Sequence, residues 1–501
     1  MTKTADGAVA RKSSGGAVRK SRASSAGASA RRPARAAGVE QLSRADRVAR
    51  GKDARAVAPL ESHAEFSPGR GRDPVGLLLG QAKSRVPELV PVRHGRMLVS
   101  PFTFYRGAAL PMAADLALTP ASGLRVQLCG DAHLSNFGAF ASPERRLVFD
   151  VNDFDETLPG PFEWDVKRLV ASLAVAGRDS GFPAKARRKI ALAAGEGYRT
   201  AMRGFADQTF MDVWYAHVDI EPVVAEFRSQ MKAKSYKEAQ KMLAKAHTSD
   251  TMKALGKLTT MVDGQRRIIS DPPMVVPVEE VFADVQADAI YELLNTVLGK
   301  YRRTLQSDRR HLLGNFRLVQ VARKVVGVGS VGTRAWVVLM DACDGVEPLF
   351  LQAKEAQLSV LADYAGRSQY SNQGERVVAG QHLMQAQSDI FLGWTRVANP
   401  LDGIDRDFYV RQLKDWKFSV PIEMMIPQGM ELYARLCGST LARAHARSGD
   451  RVALAAYLGG SAKFDQAIAD FAETYADQNE LDYAALQAAV KDGKAEATTE
   501  I

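Results

Sequence analysis

Cys129–Gly138, CGDAHLSNFG, is the part of the chain with the most chemistry per residue. A β-like run, Leu124–Cys129, leads into it, and a second β-like pair, Phe137–Phe140 and Arg146–Val151, comes after it. The loop thus leaves one strand and enters another, with Asp131 and Asn136 both on it. Asp153 lies at the far end of the next pair, where a hairpin returns it to the loop. Such a trio suits metal-assisted phosphoryl transfer. One carboxylate orients an attacking hydroxyl and accepts its proton, while an amide carbonyl and a second carboxylate hold Mg²⁺ against phosphates. An Asp or Asn in a glycine-flanked loop is by itself ordinary turn chemistry, so the weight rests on the combination.

In Cys129-Gly130-Asp131-Ala132-His133-Leu134-Ser135-Asn136 the chain resembles the kinase-like fold, in particular its aminoglycoside and choline kinase branch. That branch carries a loop of the type His-Gly-Asp-x-His-x-x-Asn. Asp153-Phe154-Asp155-Glu156 is similar to its metal-binding Asp-Phe segment. Trp164-Asp165-Val166 is similar to the start of its bracing helix. The resemblance implies Asp131 as catalytic base, Asn136 and Asp153 as Mg²⁺ ligands with Asp155 as a further candidate, Asp165 as a structural brace, and ATP with Mg²⁺ as cofactors. Asp150 rivals Asp153, because its spacing from Asn136 is closer to the usual one.

Val325–Arg334, VVGVGSVGTR, places Gly327, Gly329 and Gly332 in a G-x-G-x-x-G pattern. A dinucleotide-binding version needs a helix directly after the glycines. Thr333–Leu339 reads instead as a strand, so the element is a β-hairpin whose backbone can approach phosphate. Leu349–Lys354 reads as a third strand, and alternation puts Phe350, Gln352 and Lys354 on one face. Lys354 can then point under the glycines. Glu375, in the next helical stretch, is its candidate carboxylate partner, with Glu355 as the alternative. Gln352 stands where kinases place a small residue against adenine.

The order of these parts is inverted, with the Asp loop at 131 and the glycine loop at 327. A circular permutation accounts for this, since chains tolerate new ends at surface positions. Met430–Ser448 resembles the helix that normally leads into the catalytic loop, and the permutation sets it beside residues 124–131. The expected fold class is α+β. It has a kinase-like small β-rich lobe (316–423) and a large helical lobe (58–315), completed by C-terminal helices (424–501). Four stretches, SPFTFYRGAA, QLCGDAHLSNFG, DVNDFDETLPGPFEWDVKRL and RKVVGVGSVGTR, also resemble a bacterial family known as domain of unknown function 2252. The chain lacks His-Arg-Asp, Asp-Phe-Gly and Ala-Pro-Glu, against a regulated protein kinase.

The 501 residues carry a net charge of +10, and residues 1–55 alone hold that excess. Residues 1–57 are Ala/Ser/Gly/Arg/Lys-rich and read as a disordered basic tail able to touch nucleic acid or another anionic surface weakly. The remainder has no net charge, which argues against a body-wide nucleic-acid surface. No run of about 18 apolar residues occurs, so no membrane span is expected. Three scattered cysteines and no apolar leader point to a reducing cytoplasm. The expected activity is ATP- and Mg²⁺-dependent phosphotransfer to a hydroxyl acceptor, a small molecule by analogy. AMP transfer, and nucleotide binding without catalysis, are the alternatives.

Overall fold

Four short strands carry the loops of the first half of the chain, in a computed structural model that describes residues 42–498, apart from parts of 227–250, Val346, and residues 399–402, 414–415 and 417–418. β1 (Arg125–Leu128) pairs with β4 (Leu158–Pro161), and β2 (Phe137–Ala141) with β3 (Leu147–Val151), all antiparallel. A further hairpin joins β5 (Thr259–Val262) to β6 (Gln265–Ile268).

Runs rich in Val and in other β-branched or aromatic residues after residue 315 build most of a six-stranded sheet. β8 (Phe316–Lys324), β9 (Ala335–Ala342) and β10 (Pro348–Ala356) are the three strands expected from the sequence. β12 (Arg406–Gln412) matches the expected FYVRQL strand. β7 (Val275–Pro277) and β11 (Gly393–Val397) are additional. β7 has three residues, too few to show a period, and β11 lies where the sequence reads as the end of a helix. The six strands are antiparallel in the order β11-β12-β10-β9-β8-β7.

Around the strands stand, in chain order, α1 (Arg44–Val57), α2 (Pro101–Gly107), α3 (Phe162–Asp179), α4 (Ala184–Ala206), α5 (Thr251–Leu258), α6 (Ala287–Thr304), α7 (Gln373–Met384), α8 (Pro427–Ser448) and α9 (Lys463–Lys491). The protein is a mixed α+β structure. Its β-rich part reaches back before residue 316, because the β5–β6 hairpin and α6 pack on the large sheet as well. Tyr301 of α6 buries against Met340, Leu349 and Leu351.

α3 is buried from Phe162 through Gly177, so it runs through the centre of the helical part rather than along its surface. α4 and α8 approach closely because glycines face the contact. A Cβ on Gly438 would fall 2.2 Å from the Ala194 carbonyl oxygen, and one on Gly197 2.5 Å from that of Arg435.

The basic tail is shorter than its composition suggests. Residues 1–41 lie outside the described residues, but Arg44–Val57 is a helix with Ser43 and Asp46 forming a capping box. It docks without large apolar side chains. Gly51 and Ala54 admit close contact, Arg47 pairs with Asp450 at 2.7 Å, and Arg55 donates to the carbonyls of Ala456 and Tyr457.

Just beyond α1, His63 is fully buried against Tyr457 and Phe464. Burial pushes its imidazole down to about 3, with nearby Lys167 adding to the effect. An unfolded histidine titrates near 6.5, so below that pH the unfolded chain binds a proton that the folded chain refuses. This contribution to stability is present above about pH 6.5 and is lost toward pH 3, at up to about 1.4 kcal/mol per unit. His63→Phe is expected to flatten the fall of the urea midpoint between about pH 6 and 4. An unchanged slope in the variant would assign the acid sensitivity elsewhere.

Candidate functional site

The Asp131 loop is fixed from below by α3. Asp165, 1% exposed, accepts hydrogen bonds from the Cys129 and Gly130 backbone N–H groups at 2.7 and 3.1 Å. Gly130 has φ +87°, and a Cβ there would meet the Glu156 carbonyl oxygen at 2.2 Å, so no side chain fits. One turn along α3 from Asp165, Arg168 donates from Nε to Asp131 Oδ1 at 2.8 Å and from Nη2 to the Tyr105 carbonyl at 2.8 Å, with Nη2 also in ion-pair contact with Oδ1. Its guanidinium also lies over the Tyr105 ring. Asp131 Oδ2 is left toward His133, whose Nε2 is 3.8 Å away. Burial pushes His133 down to about 3, so that ring is neutral near pH 7.

The β2–β3 hairpin closes the loop as its ends meet. The Asn152 N–H donates to the Asn136 carbonyl at 2.8 Å, and Asn136 Nδ2 donates to the Asp131 carbonyl at 2.8 Å. Asn136 thereby spends its amide nitrogen on the loop and keeps Oδ1 for a cation. Asp153 and Asp155 stand at the mouth of the hairpin. Asp150, the rival, faces away: it is buried and paired with Arg443 of α8.

Lys354 enters from β10, opposite Tyr409 of β12 and Ala335 of β9. Its Nζ is 2.5 Å from Asp155 Oδ2 and 3.7 Å from Asp153 Oδ2. Burial disfavours this ammonium, but Asp153 and Asp155 outweigh burial and hold its pKa above the ordinary value. Tyr409 donates its hydroxyl to Asp155 Oδ1 at 2.6 Å, and Ser330 of the glycine loop donates to Oδ2 at 3.3 Å.

Gly327 and Gly332 have φ +64° and +87°, and Gly329 lies against the Arg106 backbone. The loop they form is tethered. The Val86 N–H donates to the Gly332 carbonyl at 2.8 Å, Arg96 Nη1 to the Gly327 carbonyl at 2.8 Å, and Arg85 to the Val331 carbonyl. Asp131, Asn136, Asp153, Asp155, Gly327 and Gly329 all line one cleft of about 120 Å³.

Glu375 does not meet Lys354: the ion-pair partners of that lysine among the described residues are Asp153 and Asp155. Asn372 caps α7 by accepting from the Glu375 N–H, and this register turns the next residue into the site. Arg376 donates to the carbonyls of Asp155, Thr157 and Gln357 at 2.7–2.9 Å. Neighbours on a helix point about 100° apart, so Arg376 and Glu375 cannot both face the cleft. Glu355 pairs with Arg334 instead.

Two further features escape the sequence. The sheet face that continues from Lys354 carries Val337, Leu339 and Phe350, and Leu255 and Leu258 of α5 together with Ile268 cover it. Toward the Asp131 loop the cleft is lined by Arg106 together with Arg85 and Arg93, and the segments of the last two show only scattered basic residues in the sequence. For Arg168 a signal exists, since it stands three residues after Asp165 and so on the same helix face.

α8 ends beside β1 without being joined to it. The Gln127 N–H donates to Ser448 Oγ at 3.2 Å, and a Cβ on Gly449 would touch Val126 and the Arg125 carbonyl. His445 Nε2, one turn earlier, is 3.2 Å from Asp165 Oδ2.

These elements define an α+β protein in which the β-rich and helical parts share one cleft, lined by both carboxylates and arginines. The chain belongs to the bacterial family described as "Uncharacterized protein conserved in bacteria (DUF2252)", whose model matches residues 85–489. No curated protein and no solved structure matches it. No helix among the described residues is long and apolar enough to cross a membrane.

Proposed function

We propose that this protein is an ATP- and Mg²⁺-dependent phosphotransferase of the kinase-like type, its parts circularly permuted, acting on a hydroxyl acceptor. The observation that carries the reading is the approach of Lys354 to Asp155 and Asp153, at 2.5 and 3.7 Å, across 199 residues of chain in the first case. One nucleotide phosphate chain with its metal must touch both sides of such a pair.

No group of three or more His, Cys, Asp or Glu able to hold a metal occurs among the described residues. Magnesium does not require one, because it keeps waters and substrate phosphates around one or two carboxylates. Asn136, Asp153 and Asp155 supply hard oxygen donors of that kind. Bound there, Mg²⁺ would neutralise charge on the β- and γ-phosphates. Gly327, Gly329 and Gly332 offer backbone to the phosphates, and Lys354 offers its ammonium.

In the transfer, the acceptor hydroxyl oxygen bonds to the γ-phosphorus and its proton passes to Asp131 Oδ2. The bond from the γ-phosphorus to the β,γ-bridging oxygen breaks, and its electron pair leaves on ADP. Arg168, fixed on Oδ1, orients the carboxylate.

The direct test is a thermal-shift series with ATP and Mg²⁺ on the wild type, Asp153→Ala and Lys354→Ala. Binding should raise the wild-type Tm by mass action. Asp153→Ala should lose the Mg²⁺-dependent part, and Lys354→Ala should weaken the shift with and without metal. No ATP-dependent shift in the wild type would remove the proposal. The mass of the product formed from labelled ATP separates phosphoryl from AMP transfer, and no product at all leaves binding without catalysis.

A further inference from the structure

Three guanidinium groups crowd the wall of the cleft nearest the Asp131 loop. Arg93 is 1% exposed and Arg85 6% exposed, while Arg106 is half-buried. Arg93 donates only from Nη2, to Gln81 and to the Gly107 carbonyl, which leaves Nε and Nη1 without partners. Arg85 uses Nη1 on the Val331 carbonyl and leaves Nε without a partner. Arg106 forms no hydrogen bond or ion pair among the described residues, and its buried Nε is unsatisfied.

Keeping unpaired cations out of water costs several kcal/mol each, and like charges side by side add to that cost. Burial pushes Arg85 down to about 10 and holds Arg93 well below its ordinary value, with Arg85 contributing repulsion. The nearby carboxylates do not cancel these charges. Asp131 is already taken by Arg168, Asp155 by Lys354, and Glu355 by Arg334. Glu156 accepts from the Val360 N–H.

Arg106 acts on Asp131, Glu423 and His133, whereas Lys354 acts on Asp153 and Asp155. Arg85 stands between the two sides: it donates to the Val331 carbonyl of the glycine loop, and the carboxylates that act on it are Glu156, Glu355 and Asp155. Arg106 is thus the arginine on the side of the proton-accepting carboxylate, and Lys354 lies on the side of the metal ligands.

We infer that Arg85, Arg93 and Arg106 form a second anion site, which binds a phosphate group already present on the acceptor and sets its free hydroxyl against Asp131. This rests on the phosphotransferase reading for the word acceptor, though not for the anion site itself. A dianionic phosphate monoester matches three unpaired guanidiniums better than a single carboxylate does, in charge and in number of acceptor oxygens.

The test uses the full chain and inorganic phosphate as probe, by titration calorimetry at fixed ionic strength, with acetate as the carboxylate control. Wild-type protein should bind phosphate saturably and acetate at least tenfold more weakly. Arg106→Gln should weaken phosphate binding about tenfold or more, equivalent to about 1.4 kcal/mol. Because Arg106 bonds to nothing among the described residues, this variant should melt no lower than the wild type, and Arg85→Gln provides a second variant that spares fully buried Arg93. Lys354→Ala should retain phosphate affinity within about twofold while losing its Mg-ATP response.

No saturable phosphate binding overturns the inference, as does phosphate binding that survives both arginine variants or is lost with Lys354. Equal acetate binding overturns the phosphate assignment. If Mg-ATP gives no shift in the wild type while phosphate binding still depends on Arg106, the anion site stands and the kinase-like reading falls.

Discussion

Asp131→Asn is expected to lower the basal hydrolysis of Mg-ATP, with water as acceptor, by about 10²- to 10⁴-fold, the usual contribution of a positioned general base. The substitution keeps an oxygen where Asp131 Oδ1 accepts from Arg168 Nε, so the geometry of the loop should survive. What disappears is the basic oxygen facing the cleft. The charge on Arg168, which is 4% exposed in its side chain, then loses its counter-ion, and a moderate fall in the urea midpoint should accompany the loss of rate. Mg-ATP should still raise the Tm, because Asn136, Asp153, Asp155 and Lys354 are untouched. Release of ADP at the wild-type rate from a folded Asp131→Asn protein would show that another group takes the proton. His133 is not that group in its present setting, since burial keeps the ring a weak base.

Asp165→Ala should produce the largest loss of stability of any single change near the cleft, about 3–5 kcal/mol. Three donors depend on this carboxylate: the N–H groups of Cys129 and Gly130, and Nε2 of His445. Cys129 and His445 are fully buried, and leaving a buried donor unpaired costs about 1–3 kcal/mol. Water cannot replace the carboxylate readily where the residues around it, Cys129 and Leu128 among them, are shut off from solvent. The readout is the urea midpoint, with ATP turnover measured below the transition. Turnover should fall even where the variant is folded, because Asp131 comes directly after the two unbraced peptides. A variant within about 1 kcal/mol of the wild type would mean that the loop is held by other contacts.

Much of the sheet could be read from the chain alone, because β8, β9, β10 and β12 are seven to nine residues long and rich in β-branched, aromatic and other apolar side chains. The hairpin that brings Asp131, Asn136 and Asp153 to one cleft could be read because β-like runs flank the loop on both sides. The failures have physical causes. β7 and β11 are short, and their pairing is decided by neighbours far away in sequence. The helix Arg44–Val57 has no large apolar stripe, and it docks through small residues and arginine hydrogen bonds, which composition does not reveal. Glu375 was a near miss by one position: the cap at Asn372 sets the rotation of α7, and a rotation of one residue replaces a carboxylate with Arg376. Arg85 and Arg93 were hidden because nothing local distinguishes a buried arginine from a solvated one. Only the closing of α2 and the preceding segment over the glycine loop makes them neighbours.

The distance along the chain between Lys354 and its carboxylates also has a bearing on synthesis. At translation speeds of roughly 5–20 residues per second, about ten to forty seconds separate the emergence of Asp155 from that of Lys354. During that interval the nascent protein presents Asp153 and Asp155 without their ammonium counter-ion, and no polypeptide that stops short of β10 can assemble the cleft. Ribosome-bound fragments should therefore become competent for nucleotide all at once, late in elongation, rather than by degrees.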